Sequence, residues 1–283
     1  MLYEEEEGQM SYFPVSDRVE NLIVQSNNLI KAQQNLTLNE AKLIRIIIMQ
    51  IVANDVDFKA YEISPSELAR LIGNEDGSNI YRRAQDFTDK LQSKKLKIKQ
   101  SNGSWQSIVW VPTCQYDSKR KKIKIKLNDD LKPYLLNLVE TGYYTQYALD
   151  TALSFRSVYA LRIHELLMMQ IRSRLLPKEG IEVDLYIDDI RDACMLYKQD
   201  SKGNYTNEDK YVRVSQLKEK VINIACKEIN DATMFNVYYK DIKQGRSIIG
   251  FRFHIGRASI EDSNMMNRRV VQKAKSIFDK INI

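Results

Sequence analysis

The chain is short of the residues that build covalent or metal frameworks. Only three cysteines occur in 283 residues, at Cys114, Cys194 and Cys226, and none has C-x-x-C spacing. Neither a disulfide scaffold nor a zinc site is therefore expected, and a reducing cytosol is the natural compartment. There are only two histidines, His164 and His254, and they stand 90 positions apart. That separation excludes a local His-hydrophobic-His metal site beside a nucleophilic tyrosine, so Tyr143 and Tyr144 read as packing or interface aromatics. No G-x-x-x-x-G-K-[ST] string is present to cradle nucleotide phosphates; the glycines of GNEDGSN (73–79) fit a loop after a helix C-terminus. No apolar run reaches membrane-spanning length, and the N-terminus is acidic rather than basic-then-hydrophobic, so neither a span nor a signal peptide is expected.

What the chain does have is apolar content for a sizeable core, 43% of its residues, and a formal net charge of +6. That balance tilts toward a polyanionic partner. The first residues carry Glu4, Glu5, Glu6 and Glu7, so the remainder is more basic still. Residues 1–17 read as an acidic leader. TLNEAKLIRIIIMQ has Thr37 at an N-cap and Glu40 three residues on, a capping box opening a buried helix. YEISPSELARLIG gives a strand, then Ser64 as N-cap with Pro65 at the first helical position. NIYRRAQDFTDKLQSKKL is amphipathic, with Ile80, Ala84, Phe87 and Leu91 on one side. Short β-like segments come next, LKIK, SIVWVPTCQY and KIKIKL, with turn signals at Asn102-Gly103 and Asp117-Ser118.

The same order then returns. SFRSVYALRIHELLMMQ is a long helix, read as capped by Ser154, and IEVDLYIDDIRDACML is a strand running into a helix begun by Asp188 and Asp189. YVRVSQLKEKVINIACKEIND (211–231) is a further helix, and MFNVYYKDIKQGRSIIGFRFHI reads as two strands around Gln244-Gly245. Ile44-Arg45 matches Leu161-Arg162 at an offset of 117 (161 − 44), Leu68 matches Ile190 at 122 (190 − 68), and Arg82 matches Arg213 at 131 (213 − 82). Longer loops in the second copy account for the drift. Two divergent copies of a helix–strand–helix–helix–hairpin module predict an α+β chain of two tandem winged-helix domains, in which the third helix reads and the hairpin is the wing. The expected boundaries are 18–141 and 142–257, with a basic helical tail over 258–283 that carries Arg268, Arg269, Lys273 and Lys275. That tail is read either as non-specific attraction or as a solvated surface.

At 100° per residue the 211–231 helix puts Val214, Leu217, Val221 and Ala225 on one face and a ladder of Gln216, Lys220, Asn223 and Lys227 opposite, bordered by Arg213 and Glu219. Gln, Asn, Lys and Arg pair with base edges or phosphates, whereas the same face on composition alone is ordinary solvated surface. Context favours the first reading. The hairpin after this helix carries Lys240, Lys243 and Arg246 at or near its turn. The equivalent helix of the first copy offers Arg82, Arg83, Lys90 and Lys94, and its hairpin holds Lys119, Arg120, Lys121 and Lys122. The acidic cluster Asp188, Asp189 and Asp192 could hold a metal, but carboxylates at a helix start also cap free N–H groups. No cofactor and no catalytic residue is expected.

VENLIVQSNNLIKAQQNLTLNEAKLIRIIIMQI strongly resembles the opening of the initiator replication proteins of iteron-containing, theta-replicating plasmids, with its V-x-x-S-N-x-L-I-x-A-x-x-x-L-T-L-x-E-x-K-L stretch. LKEKVINIACKEINDAT is similar to that family's second recognition helix, with its Glu-Ile-Asn signature, and YYKDIKQGRSIIGFRF to its second wing. The resemblance spans 19–256. It implies two winged helices on repeated double-stranded origin sites called iterons, and on an operator where the protein represses its own gene. It further implies host replication initiator and helicase proteins as partners, and a homodimer through the first domain. By position it implies that Arg213, Ser215, Gln216 and Lys220 face DNA in the second module, and Arg82, Arg83 and Asp86 in the first. The acidic leader is outside the family pattern. The expected function is therefore non-enzymatic initiation of plasmid replication in the bacterial cytoplasm. The rivals are a winged-helix transcriptional regulator without a replication role, a protein-binding scaffold and, more distantly, a metal-dependent nuclease at Asp188 and Asp189.

Overall fold

A computed structural model describes residues 22–52, 55–71, 79–100, 102–138, 142–171, 176–177, 179–201 and 205–258. The acidic leader, most of GNEDGSN and all but the first residue of the basic tail lie outside the described residues. The chain opens with β1 (Leu22–Ser26), α1 (Asn27–Lys31) and the short β2 (Gln33–Gln34). Thr37 then caps α2 (Leu38–Met49): its hydroxyl accepts from the Glu40 N–H, and the Glu40 carboxylate accepts from the Thr37 N–H at 2.7 Å. β3 (Tyr61–Ile63) leads into α3 (Pro65–Leu71), opened by a second capping box in which the Glu67 carboxylate accepts from the Ser64 N–H at 2.6 Å and the Ser64 hydroxyl from the Glu67 N–H at 3.1 Å. α4 (Ile80–Gln92) buries Ala84, Thr88 and Leu91.

The β-rich stretch after α4 resolves into two hairpins rather than one. β4 (Lys95–Lys99) and β5 (Trp105–Val109) turn at Gly103, whose φ of +82° a glycine adopts without strain, and they pair with β2. β6 (Thr113–Asp117) and β7 (Lys122–Lys126) pair with β3 in the order β3-β7-β6, which makes β6–β7 the wing. A 3₁₀ turn (Asp129–Leu131), the short α5 (Lys132–Leu135), β8 (Tyr144–Ala148) and α6 (Leu149–Ser154) connect to the second copy. That copy comprises α7 (Val158–Ile171), β9 (Ile181–Tyr186), α8 (Ile187–Ala193) and a hairpin β10 (Tyr197–Gln199)–β11 (Tyr205–Asp209). After them come α9 (Val214–Leu217), a π turn (Lys218–Ile222) and α10 (Asn223–Ala232), then β12 (Phe235–Gln244) and β13 (Ser247–Arg257) in the sheet β12-β13-β9. Both copies thus have the winged-helix sheet, in which the first strand pairs with the last.

Ser154 does not cap α7. Its hydroxyl donates to the Thr151 carbonyl inside α6, and Ser157 supplies the cap, accepting from the Tyr159 N–H at 3.1 Å. The extended residue Phe155 breaks the run between them.

Helices buried on every face lie at the centre of a fold. Nine of the 12 residues of α2 are buried, as are 11 of the 14 of α7. These are the first helices of the two copies, and their matched arginines, Arg45 and Arg162, are 0% and 2% exposed. Both reach one carboxylate, Glu165 in α7. Arg45 donates to it through Nε at 2.9 Å and Nη2 at 3.1 Å, and Arg162 forms a second, very short ion pair. Tyr147 also donates to Glu165, and Gln25 donates to it at 3.1 Å. Arg45 further donates to the Gln34 side chain at 3.0 Å, while Arg162 donates to the carbonyls of Ile30, Ala32 and Ala193. The antiparallel β1–β8 ladder runs Leu22↔Ala148 to Ser26↔Tyr144 beside this cluster, so it crosses the expected 141/142 division. A second tie lies nearer the surface, where Asp192 of α8 accepts from Gln33 (2.6 Å) and from Lys99 and Tyr197.

Burial alone would push the Glu165 carboxyl up, but Arg45 and Arg162, with the Tyr147 hydroxyl, more than offset that and hold it at about 2. Its neighbour His164, edge-on to Tyr147 with ring centroids 5.5 Å apart, is pushed by burial down to about 4 and is therefore neutral. The two groups predict acid lability in two overlapping stages. His164 binds its proton near pH 6.5 when unfolded and near 4 when folded, so stability declines as pH falls from 6.5 to 4. The Glu165 contribution is complete above pH 4.5 and lost as pH falls toward 2. Urea midpoints across this range check both, and His164→Leu is expected to flatten the first stage while leaving the second.

Candidate nucleic-acid interface

In the second module the reading helix is not a straight α-helix. With the π turn at Lys218–Ile222, Leu217 and Ile222 (i, i+5) are both fully buried, as is Val221, and Cys226 nearly so. An extra residue in one turn rotates the residues after it by roughly 100° relative to those before it. The ladder expected from uniform spacing is therefore split. Arg213, Ser215, Gln216 and Lys220 are exposed on the first part, and Asn223 and Lys227 on the rotated second part. Lys220 is paired with its exposed neighbour Glu219 at 2.7 Å. Asn223 accepts from the Tyr239 hydroxyl at 2.8 Å, so it is turned toward the wing strand β12. Val214 is half-buried, whereas Leu217, Val221 and Ala225 form the inner face as expected.

Three contacts fix this helix to its wing. Lys218 pairs with Asp241 at 2.7 Å, Tyr239 holds Asn223, and Asn230 makes a two-point bridge to Val237. Its Nδ2 donates to the Val237 carbonyl (3.0 Å) and its Oδ1 accepts from the Val237 N–H (2.7 Å). Glu228 accepts from the N–H groups of Arg156 (2.7 Å) and Ser157 (3.1 Å), tying α10 to the start of α7. Glu228 and Asn230, at the end of this helix, are thus structural. Tyr239 and Asp241 alternate with the outward Tyr238 and Lys240, so Lys240 lies on the sheet face away from the helix, beside Arg252. Lys243 and Arg246 are exposed at the tip, where Gly245 has φ +59°.

In the first module Arg82, Arg83, Asp86, Asp89 and Lys90 are exposed along α4, but Lys94 turns inward to Glu40 at 3.4 Å. The wing turn is less cationic than its sequence. Arg120 forms a bidentate pair with Glu62, 2.7 Å for each bond, and Lys122 pairs with Glu67 at 3.1 Å. Lys119 and Lys121 are exposed beside them, and Lys121 has a left-handed φ of +51°. Tyr81 of α4 meets Tyr116 of β6 edge-on, centroids 5.9 Å apart, joining helix to wing as Tyr239 does in the second copy. Sequence reading missed these aromatics; the period-2 alternation of FNVYYKD carried the signal for Tyr239 and Asp241. Burial also shifts one repeat match. Aligning the two helices on their first fully buried residues, Ala84 and Leu217, gives an offset of 133 (217 − 84), which sets Arg82 level with Ser215 rather than Arg213.

Asp188 and Asp189 are exposed in the first turn of α8, and among the described residues no group of His, Cys, Asp and Glu could hold a metal. Burial pushes the Cys114 thiol up to about 11 and those of Cys194 and Cys226 to about 12, so all three stay protonated. No helix of the described residues is long and apolar enough to cross a membrane.

The family model described as "Initiator Replication protein, WH1" matches residues 22–168, more than half of the chain, and "Initiator Rep protein, WH2" matches 204–255. The chain belongs to the initiator replication protein family. Among solved structures it is similar to the Pi initiator protein in complex with iteron DNA, at a TM-score of 0.65 and 17% identity over 86% of this chain and 99% of that one. A derivative of domains 2 and 3 of RctB matches at a TM-score of 0.39 and 8% identity, over 81% of this chain and 86% of that one. A search of the curated proteins finds no match. The two-winged-helix expectation is borne out, and a regulator without a replication role is not favoured.

Asn230→Ala is expected to leave the N–H and carbonyl of Val237 without partners and to cost about 1–3 kcal/mol, read from urea unfolding, with no loss of net charge on the helix.

Proposed function

We propose that this initiator binds repeated origin sequences through both modules at once, each laying its reading helix in a major groove and its wing along phosphates. The single observation that carries the reading is the duplication itself. Each copy presents an exposed polar helix and a cationic wing turn, and both are held in one arrangement by the buried Glu165 cluster. The likeness in fold to an initiator solved on iteron DNA supports it. In the second module Arg213, Ser215, Gln216 and Lys220 are the residues proposed to enter the groove, because N-terminal positions of a reading helix lie nearest the base edges. Lys227, Lys243 and Arg246 are proposed to meet phosphates, as are Arg82, Arg83, Lys90, Lys119 and Lys121 in the first. Arg120 and Lys122 join them only by leaving Glu62 and Glu67.

Strand opening then comes from loading several copies onto adjacent repeats, without nucleotide hydrolysis or any other catalysis by this chain. The same loaded array recruits host initiator and helicase proteins in the bacterial cytoplasm, and a dimer through the first module represses the gene. Mobility shifts on sites selected from random duplexes test the DNA reading. Arg213→Glu is expected to weaken binding about tenfold or more and to flatten the slope of log affinity against log salt by about one. Gln216→Ala is expected to relax base preference at one position, a change of about 1–3 kcal/mol. Unaltered binding by Arg213→Glu, or failure of the wild-type protein to select any sequence, overturns the proposal.

A further inference from the structure

The contact between the modules is built differently from the rest of the core. Buried polar side chains elsewhere are scattered, yet where the two copies meet the interior gathers two guanidiniums, one carboxylate, a phenol and two amides, all buried. Apolar side chains slide past one another at small cost, whereas charge-assisted bonds with fixed geometry hold at one register only. Arg45 offers a planar fork to both oxygens of Glu165 while its Nη2 also reaches Gln34. Arg162 is pinned by three backbone carbonyls, one of them on its own side at Ala193 and two across the boundary at Ile30 and Ala32. A shift of α2 against α7 by one ångström would strip several of these bonds together. The surface tie from Gln33 and Lys99 to Asp192 restrains the same relative motion at a second point.

We propose that this polar seam, Arg45 with Glu165 at its centre and Lys99 and Gln33 with Asp192 at its edge, sets the base-pair spacing between the two half-elements that the protein accepts. Arg45 is thereby a positioning residue for DNA recognition, acting through the relative placement of two reading helices and touching no DNA itself. The inference rests on both modules binding one site together. Each inserted base pair moves one half-element about 3.4 Å along the axis and turns it by roughly 35°. A rigid seam cannot follow such a change, so the penalty falls on the wrong spacing and not on the sequence of either half.

Arg45→Met severs the central contact and takes the donor from Gln34 Oε1, while the Arg162–Glu165 pair that remains is neutral overall. The experiment measures affinity for a selected site and for versions carrying one, two, three and five inserted base pairs between the halves mapped by footprinting. Wild-type protein is expected to lose tenfold or more with one or two inserted pairs. Arg45→Met is expected to keep its own insertion penalty within about threefold, and Arg45→Lys to fall between. A merely structural role would weaken binding to all spacings alike. An Arg45→Met protein that is folded by circular dichroism yet shows the wild-type profile overturns the proposal, as does a wild-type protein indifferent to spacing. If Arg45→Met does not fold, the exposed-edge variant Lys99→Ala/Gln33→Ala decides instead. A widened profile there supports the seam as the gauge, and a wild-type profile overturns it. Failure of wild-type protein to select any duplex contradicts DNA recognition itself, a result distinct from a flat spacing profile.

Discussion

One carboxylate, Glu165, receives both arginines that the internal repeat places at matching points of its two central helices. Burying two cations with one anion is an arrangement that stability alone does not favour. Desolvating such ions costs several kcal/mol each, and their attraction restores little more than that. Buried ionic groups do restrict the arrangements in which their bonds are satisfied, because any other leaves a charge without partners. The phenol of Tyr147, the amides of Gln25 and Gln34 and the carbonyls of Ile30, Ala32 and Ala193 complete this set of partners. The repeat is broken at the one place that matters for this chemistry: the position matching Glu165, at the offset of 117, is Ile48 in the first copy. Two carboxylates there would leave a balanced pair in each module; one forces both arginines to share it across the boundary.

That constraint orders the functional surface. α2 and α7 are fixed to each other, and in the second module the reading helix and the strand β9 pack on α7, whereas in the first α4 packs on α3 and β6. The second reading helix is in turn fastened to its wing by Asn230, Asn223 and Lys218. A chain of rigid links thus runs from Glu165 to the exposed Arg213, Gln216 and Lys243. In the first module the links are an edge-on tyrosine pair, the exposed Arg120–Glu62 pair and the half-buried Lys122–Glu67 pair, so the wing cations Arg120 and Lys122 are partly neutralised. An exposed pair such as Arg120–Glu62 contributes little to stability, so a phosphate can compete for that cation.

Much of this was legible in the sequence because local rules agree with the fold. The capping boxes at Thr37 and Ser64, the turns at Gly103 and Gly245 and the repeated element order are all written in short spacings. The features that escaped are set by non-local packing. Ser154 and Ser157 are equally good caps on paper, and only the extended Phe155 selects the second. The π turn brings Leu217 and Ile222 onto one buried face, where a uniform 100° wheel would set them roughly 140° apart. The wing of the first module was placed at its Lys119–Lys122 turn, but the β4–β5 hairpin escaped as a separate unit, since it too is a pair of alternating strands around a turn signal. Arg45 within LIRIII gives no hint of a partner 120 residues away. The ladder of Gln216, Lys220, Asn223 and Lys227 was the right set of exposed side chains on a helix assumed too straight.

The central claim is that the two winged helices behave as one unit because they share a buried polar seam. Both tryptophans, the exposed Trp105 and the buried Trp110, lie in the first module, whereas far-ultraviolet circular dichroism reports helices of both. Urea unfolding monitored by the two signals tests the claim most directly. The account predicts one transition with coincident midpoints in the wild-type protein. Separate transitions, with the tryptophan signal moving apart from the helical one, would contradict it.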